Sequence, residues 1–230
     1  MKNMSLRKVT KANHLVQASY KITLQEKKLV LAAMSCCDSR GEAQKTVKIT
    51  ASDFAEVTGM ELKHAHTELY KAADKLYDRS IIVKDPEQTE EFRWIQSKAK
   101  KHKGEGMVTL TWSDQILKYI SQLKEQFTTY RLGSVGRLQS TYSIRLYELL
   151  MQFNRTGDRV INLSDFRELL QLKDKYPQYR DLNKRVITPA VKELNQRSDL
   201  EIKFESLKSG RKVVSLSFQF KPAKQMKMDL

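Results

Sequence analysis

The stretch Ile49-Thr50-Ala51-Ser52-Asp53-Phe54-Ala55-Glu56-Val57 returns as Ile161-Asn162-Leu163-Ser164-Asp165-Phe166-Arg167-Glu168-Leu169, an offset of 112 residues. Ile, Ser-Asp-Phe and Glu keep their places. A repeat of this kind indicates one structural plan used twice. A single match could arise by chance, so its weight comes from the elements around each copy.

Around the first copy, residues 23–35 read as a helix and 46–49 as a short strand. A short helix follows over 51–57, with Thr50 as N-cap and Asp53 at the third helical position, the pattern of a capping box. Gly59 ends it. A longer helix covers 61–78, with Leu62, Ala65, Leu69, Ala72 and Leu76 spaced to share one apolar face. Three β segments come next, at 80–83, 92–96 and 107–112. In the last, Val108, Leu110 and Trp112 alternate with Thr109 and Thr111, as a half-buried strand does. Trp94 and Trp112 fall on strand faces and read as core.

The second copy repeats the order. A helix over 141–153 precedes a strand at 160–162 and a helix at 164–172. A longer helix spans 178–196, with Leu182, Val186, Ala190 and Leu194 inward. Pro189 inside it should kink the helix or divide it in two. A hairpin closes the unit. Leu200, Ile202 and Phe204 alternate with charged residues, the chain turns after Ser209-Gly210, and Val214, Leu216, Phe218 and Phe220 alternate on the way back.

Helix, strand, helix, helix, β-hairpin is the winged-helix order. The expected fold is therefore α+β, with two tandem winged-helix domains over 10–126 and 127–222 and a basic flexible tail over 223–230. The joining segment carries a helix at 114–123 and then Gly133 and Gly136.

The formal net charge is +15 over 230 residues, and the isoelectric point is about 9.7. An excess of this size calls for an anionic partner, with nucleic acid first and an anionic membrane surface second. Both halves carry the excess. Residues 1–125 hold 22 Lys+Arg against 16 Asp+Glu, and residues 126–230 hold 20 against 11. Residues 1–14 are polar, so no secretory signal is expected. No apolar run approaches the ~20 residues of a membrane span. The adjacent Cys36 and Cys37 read as buried free thiols, since neighbouring cysteines pair with strain, and this suits a reducing cytoplasm.

In helix-turn-helix readers the second helix enters the major groove. The first copy has Ala55 and Gly59 four apart, which allows close helix packing and a tight turn. The second copy has Arg167 and Gln171 there, so its turn must differ. With apolar faces inward, the first long helix presents Lys63, His64, His66, Thr67, Lys71 and Lys75. The second presents Arg180, Asn183, Lys184, Arg185, Thr188 and Lys192. Arg and Lys suit guanine acceptors or phosphates, Asn suits adenine, and Thr can meet a thymine methyl. Either face could instead be a solvated helix surface; two such faces in the expected slot of a +15 chain favour DNA. Which of these side chains touch bases and which touch phosphates stays open. The wings are basic too: Lys98, Lys100, Lys101, His102 and Lys103 in the first, and Lys208, Arg211 and Lys212 at the tip of the second.

Enzymatic readings find little support. His64 and His66 are two apart, which turns them away from each other on a helix, so no metal site is expected. There is no phosphate-cradling Gly-x-x-x-x-Gly-Lys-Ser/Thr loop, no triad among the four histidines, and no cofactor motif. A relaxase or nuclease would need a metal cluster beside its tyrosines. The expectation is a non-catalytic DNA binder.

The run from Leu15 to Leu29 (LVQASYKITLQEKKL) resembles the opening of plasmid replication initiators of the RepE, RepA and pi type. So do Arg185-Val186-Ile187-Thr188-Pro189-Ala190-Val191-Lys192-Glu193-Leu194-Asn195, Ser198-Asp199-Leu200, and Lys208-Ser209-Gly210-Arg211-Lys212-Val213-Val214 with Phe218. The resemblance spans about residues 10 to 220 and is most specific in the C-terminal strings. It implies binding to repeated origin sites called iterons. It further implies a C-terminal domain that is the main reader, and an N-terminal domain that adds DNA contacts and dimerises. It also implies recruitment of the host initiator and helicase, and repression of the initiator's own promoter by dimers. The alternative is a two-module transcriptional regulator that never assembles an origin.

Overall fold

The computed structural model describes residues 3–42, 44–84, 87–101 and 103–223. The chain forms two compact units, Met1–Arg137 and Leu138–Leu230.

The first unit opens with a 3-10 turn, Met4–Leu6, then β1 (Lys8–Ala12), α1 (Asn13–Gln17) and α2 (Leu24–Ser35). Thr23 and Glu26 close a capping box on α2, and Glu26, fully buried, also takes a 2.9 Å ion pair from Arg79. Every residue from Glu26 to Met34 is buried, so α2 is the central helix of the unit. It is followed by β2 (Thr46–Thr50), α3 (Ala51–Thr58) and α4 (Leu62–Tyr77). Then come β3 (Ser80–Lys84), β4 (Thr89–Arg93), β5 (Ile95–Lys101), β6 (Met107–Trp112), α5 (Asp114–Ile120), β7 (Phe127–Arg131) and α6 (Gly133–Gly136).

The expected strand at 92–96 is in fact the junction of two. Phe92 pairs with Ile81 in the β3–β4 hairpin, and Ile95 pairs with Trp112 in a separate sheet of order β2-β6-β5. Buried Trp94 sits at the corner, and a register shift between Ile95 and Ser97 re-aims the chain. Two strands escaped the sequence reading, β1 and β7. They pair antiparallel from Lys8↔Arg131 to Ala12↔Phe127. Residues 127–131 thus lie in the first unit, and the units part after Arg137. The expected helix at 114–123 stops at Ile120, because Ser121 is extended and Gln122 is left-handed. Trp112, on β6, and Trp94, at the bend between β4 and β5 rather than on a strand face, are both fully buried.

The second unit runs α7 (Thr141–Met151), β8 (Asp158–Asn162), α8 (Leu163–Leu169), α9 (Tyr179–Leu182), a π-helical turn (Asn183–Ile187), α10 (Thr188–Arg197), β9 (Leu200–Ser209) and β10 (Lys212–Pro222). Its sheet has the order β8-β10-β9. Phe166, Leu172, Leu182, Val186, Leu194, Leu216 and Phe218 form its centre, all fully buried. Phe218 stacks between Phe166 and Phe204, with ring centroids 6.4 and 6.0 Å away. Val214 departs from expectation. A bulge between Val213 and Ser215 makes it the extra residue, and it is 44% exposed.

Both cysteines are free and half-buried rather than buried. They follow α2, where Arg7 donates a 2.9 Å hydrogen bond to the Cys36 sulfur. Burial raises the Cys36 thiol despite the opposing Arg7 charge, and pushes Cys37 up to about 11. Of the expected tail, residues 224–230 lie outside the described residues, as does His102.

Candidate nucleic-acid interface

In the first unit the two helices of the candidate reader are set by local chemistry. The Thr50 hydroxyl accepts from the Asp53 N–H at 3.0 Å, and the Asp53 carboxylate accepts from the Thr50 N–H at 3.0 Å. This reciprocal box satisfies two of the amides that a helix start leaves unpaired. At the other end, Gly59 takes φ +72° and its N–H donates to the Ala55 carbonyl at 2.8 Å. That left-handed residue turns the chain into α4, as the Ala55–Gly59 spacing predicts.

Helix α4 buries Ala65, Leu69, Ala72, Ala73 and Leu76. Its opposite face exposes Lys63, His64, Thr67, Lys71 and Lys75. Lys71 is engaged by Glu68 at 3.0 Å, an exposed i,i+3 pair. Leu62 does not join the buried stripe; it is 55% exposed. It is the first helical residue, and helical side chains lean toward the N-terminus, so Leu62 leans off the end of the core. His66 is half-buried under the wing, and a Cβ at Gly106 (φ +77°) would overlap its ring.

The first wing is held differently from the expectation. Lys98 pairs with the Asp74 carboxylate of α4 at 2.5 Å, and Lys100 takes its second oxygen. Each ammonium also lies over a ring of α4, Lys98 over Tyr77 at 5.3 Å and Lys100 over Tyr70 at 5.5 Å. The Tyr70 hydroxyl donates to the Lys101 carbonyl at 2.5 Å. The hydrogen bonds from Lys100 and Lys98 hold the Asp74 carboxyl below the usual carboxylate range. Two of the four wing lysines are thus clasped to α4, while Lys101 and Lys103 are exposed.

The second unit has no glycine turn. A loop from Leu170 to Gln178 joins α8 to α9, with Gln171, Lys173 and Tyr176 at φ 54°, 44° and 55°. Arg167, which stands where the first copy has Ala55, staples this loop. Its guanidinium donates to the carbonyls of Lys175 (3.0 Å), Tyr176 (2.5 Å) and Pro177 (3.1 Å). Three convergent carbonyls replace what one glycine does in the first unit.

The long helix then runs unbroken through its π turn. Pro189 has no N–H to give the 185 carbonyl, and its ring crowds that carbonyl. The chain widens instead, and the Thr188 N–H donates to Asn183, five residues back. Pro189 therefore perturbs the helix without cutting it. Arg180, Lys184, Arg185, Thr188 and Lys192 are exposed, and Leu182, Val186, Ile187, Ala190, Val191 and Leu194 are buried. Asn183 is half-buried, accepting from the Thr188 hydroxyl at 3.0 Å. The Asn195 amide pins the helix to β9 through both backbone groups of Ile202, at 2.6 and 2.9 Å. At the wing tip, Gly210 (φ +59°) makes the turn and Lys208, Arg211 and Lys212 are exposed. None of these three forms an ion pair among the described residues.

The geometry of both units is thus a basic helix face with a basic wing beside it. A family described as Initiator Replication protein, WH1 matches residues 8–151, and its companion, Initiator Rep protein, WH2, matches residues 162–220. The chain belongs to the replication initiator family. The initiator is 30% identical over 230 residues to a replication initiation protein of Escherichia coli, covering 95% of this chain and 71% of the relative. It is 24% identical over 261 residues to the PI protein of Escherichia coli, covering 94% and 84%. Its fold matches the crystal structure of Pi initiator protein in complex with iteron DNA, with a TM-score of 0.81 at 21% identity, covering 96% of the initiator and 99% of that chain. Two winged-helix domains are therefore its architecture. No group of three metal-capable side chains occurs among the described residues, and none of their helices is long and apolar enough to cross a membrane.

Proposed function

We propose that this initiator binds repeated duplex sites at a plasmid origin, with the second winged helix as the main reader and the first as a supporting contact. The observation that carries this is the contrast between the two units. In the second, five polar or cationic side chains of one helix stand exposed beside an unpaired basic wing tip. In the first, Lys98 and Lys100 are held by the single carboxylate of Asp74. Hydrogen bonding to bases selects the sequence, and the phosphate contacts position the protein. The solved complex of Pi initiator with iteron DNA, which shares the fold, supports the same substrate class here.

Binding energy would bend or open the origin, and the ATP-driven step would fall to recruited host initiator and helicase, since the chain carries no phosphate-binding loop. Self-association through the first unit and repression of the initiator's own promoter belong to the same reading, as does a cytoplasmic site of action. The test is footprinting on DNA flanking the gene. Evenly spaced protected repeats are expected, and an origin lacking its own initiator should replicate when the gene is supplied in trans. With six to ten phosphates neutralised, affinity should fall about 10³–10⁵-fold between about 50 and 200 mM salt. A salt slope near zero would overturn the DNA reading. Normal binding without replication in trans would make the protein a regulator only.

A further inference from the structure

Outside its own candidate reader, the first unit holds a cleft of about 710 Å³ over the exposed face of the β1–β7 ribbon. This is within the ~300–1,000 Å³ range of ligand sites. The ribbon places Lys8 directly opposite Arg131, both exposed. Like charges opposed across two strands are unfavourable. Neither forms an ion pair among the described residues, whereas Arg40, on the cleft's other wall, acts electrostatically on the neighbouring Asp38. Asp38, in the same wall, is engaged by its own loop, accepting the Arg40 N–H at 2.9 Å. Two exposed apolar side chains line the same cleft, Leu6 at 66% and Phe127 at 40% exposure, while Arg131 lies at its edge beside Lys8. The loop that presents Phe127 has left-handed non-glycine residues at both ends, Gln122 (φ 50°) and Gln126 (φ 51°). Its conformation is held by hydrogen bonds from Leu123 to Ser39 (2.9 Å) and from Asn13 to Gln126 (2.7 Å). Backbone held in a sparsely populated region is a common mark of functional sites.

We propose that this cleft docks a partner protein through an acidic segment bearing a bulky apolar side chain. An anionic occupant would relieve the repulsion of the opposed cations. Leu6 and Phe127 distinguish the occupant from duplex nucleic acid, whose outer surface is phosphate backbone with the bases stacked inside. The site is independent of the DNA reading and would stand if DNA binding failed.

The test is fluorescence anisotropy on the full chain at physiological ionic strength. The probe is a labelled degenerate pool of short peptides alternating Asp or Glu with Leu or Phe, compared with a pool carrying Ser at the apolar positions. The apolar pool should bind about tenfold more tightly, and Lys8→Glu and Phe127→Ser should each weaken it about tenfold. Lys21→Glu and Arg155→Glu, which change exposed charges elsewhere, should leave it unaltered. Lys8→Glu should also raise the melting midpoint by about 1–3 °C, because it turns a repulsive cross-strand pair into an attractive one. Equal binding of the two pools, insensitivity to both cleft variants, or a lower midpoint for Lys8→Glu would overturn the proposal. A loss of duplex affinity in Lys8→Glu matching that in Lys184→Glu would also overturn it, by making the cleft a nucleic-acid contact.

Discussion

Asp74→Asn isolates what the clasp on the first wing does. The substitution keeps the shape of the side chain and removes its charge, so Lys98 and Lys100 lose their shared partner. The Asp74 side chain is 46% exposed, and the lysines are 25% and 24% exposed. Pairs this open to water contribute about 0.2–1 kcal/mol each, so the fold should lose roughly 0.5–2 kcal/mol. At about 2–4 °C per kcal/mol, the melting midpoint should drop by a few degrees. DNA binding should move the other way. Each freed lysine that reaches a phosphate steepens the dependence of log K on log salt by about 0.9. Two would steepen it by nearly 2, which is about a tenfold larger loss between 50 and 200 mM salt. The assay is anisotropy with a labelled duplex at several salt concentrations, alongside a circular-dichroism melt. An unchanged or shallower slope would refute the argument that the clasp withholds these lysines from DNA. The pH dependence has a fixed sign. The folded Asp74 pKa lies below its unfolded value, so the clasp contributes fully above the ordinary carboxylate range, about pH 4. That contribution is lost as pH falls through the folded pKa, and Asp74→Asn should flatten this acid limb of the stability curve.

Other outcomes follow from the same geometry. Gly59→Ala meets open space, so its cost is the left-handed backbone alone, about 1 kcal/mol in a denaturant melt, with Gly59→Asn costing less. Arg167→Ala removes three hydrogen bonds to loop carbonyls; it should destabilise the second unit by about 1.5–3 kcal/mol and weaken DNA binding by releasing α9, while leaving the first unit's hydrogen-exchange protection intact. Alanine at Arg180, Lys184, Arg185 or Lys192 sorts readers from anchors in a binding screen of single-base variants: a base reader loses about 1–3 kcal/mol and relaxes specificity at one position, whereas a phosphate anchor weakens all sequences alike.

Much of the architecture was legible because it is local. The repeated Ser-Asp-Phe block, the Thr50–Asp53 box and the Gly59 stop are written within a few residues of the structure they make. The buried stripe of the second long helix reads directly from spacing: Leu182, Val186, Ala190 and Leu194. The candidate reading faces follow, since a helix with one side sealed must show the other.

What the sequence determined by itself is the pair of winged-helix units, their caps and turns, and the excess of positive charge in both. The tertiary structure decided whatever depends on partners far along the chain. The β1–β7 ribbon joins strands more than a hundred residues apart, so no window of sequence contains it. Leu62 keeps the right period, yet it lies beyond the core because the helix starts there. Arg167 looks like a surface charge until the 175–177 carbonyls converge on it. Lys98 and Lys100 have the composition of a DNA-binding wing, but Asp74, from another element, accepts both. Charge is a property of the residue; its availability to a ligand depends on which groups the fold brings within hydrogen-bond reach.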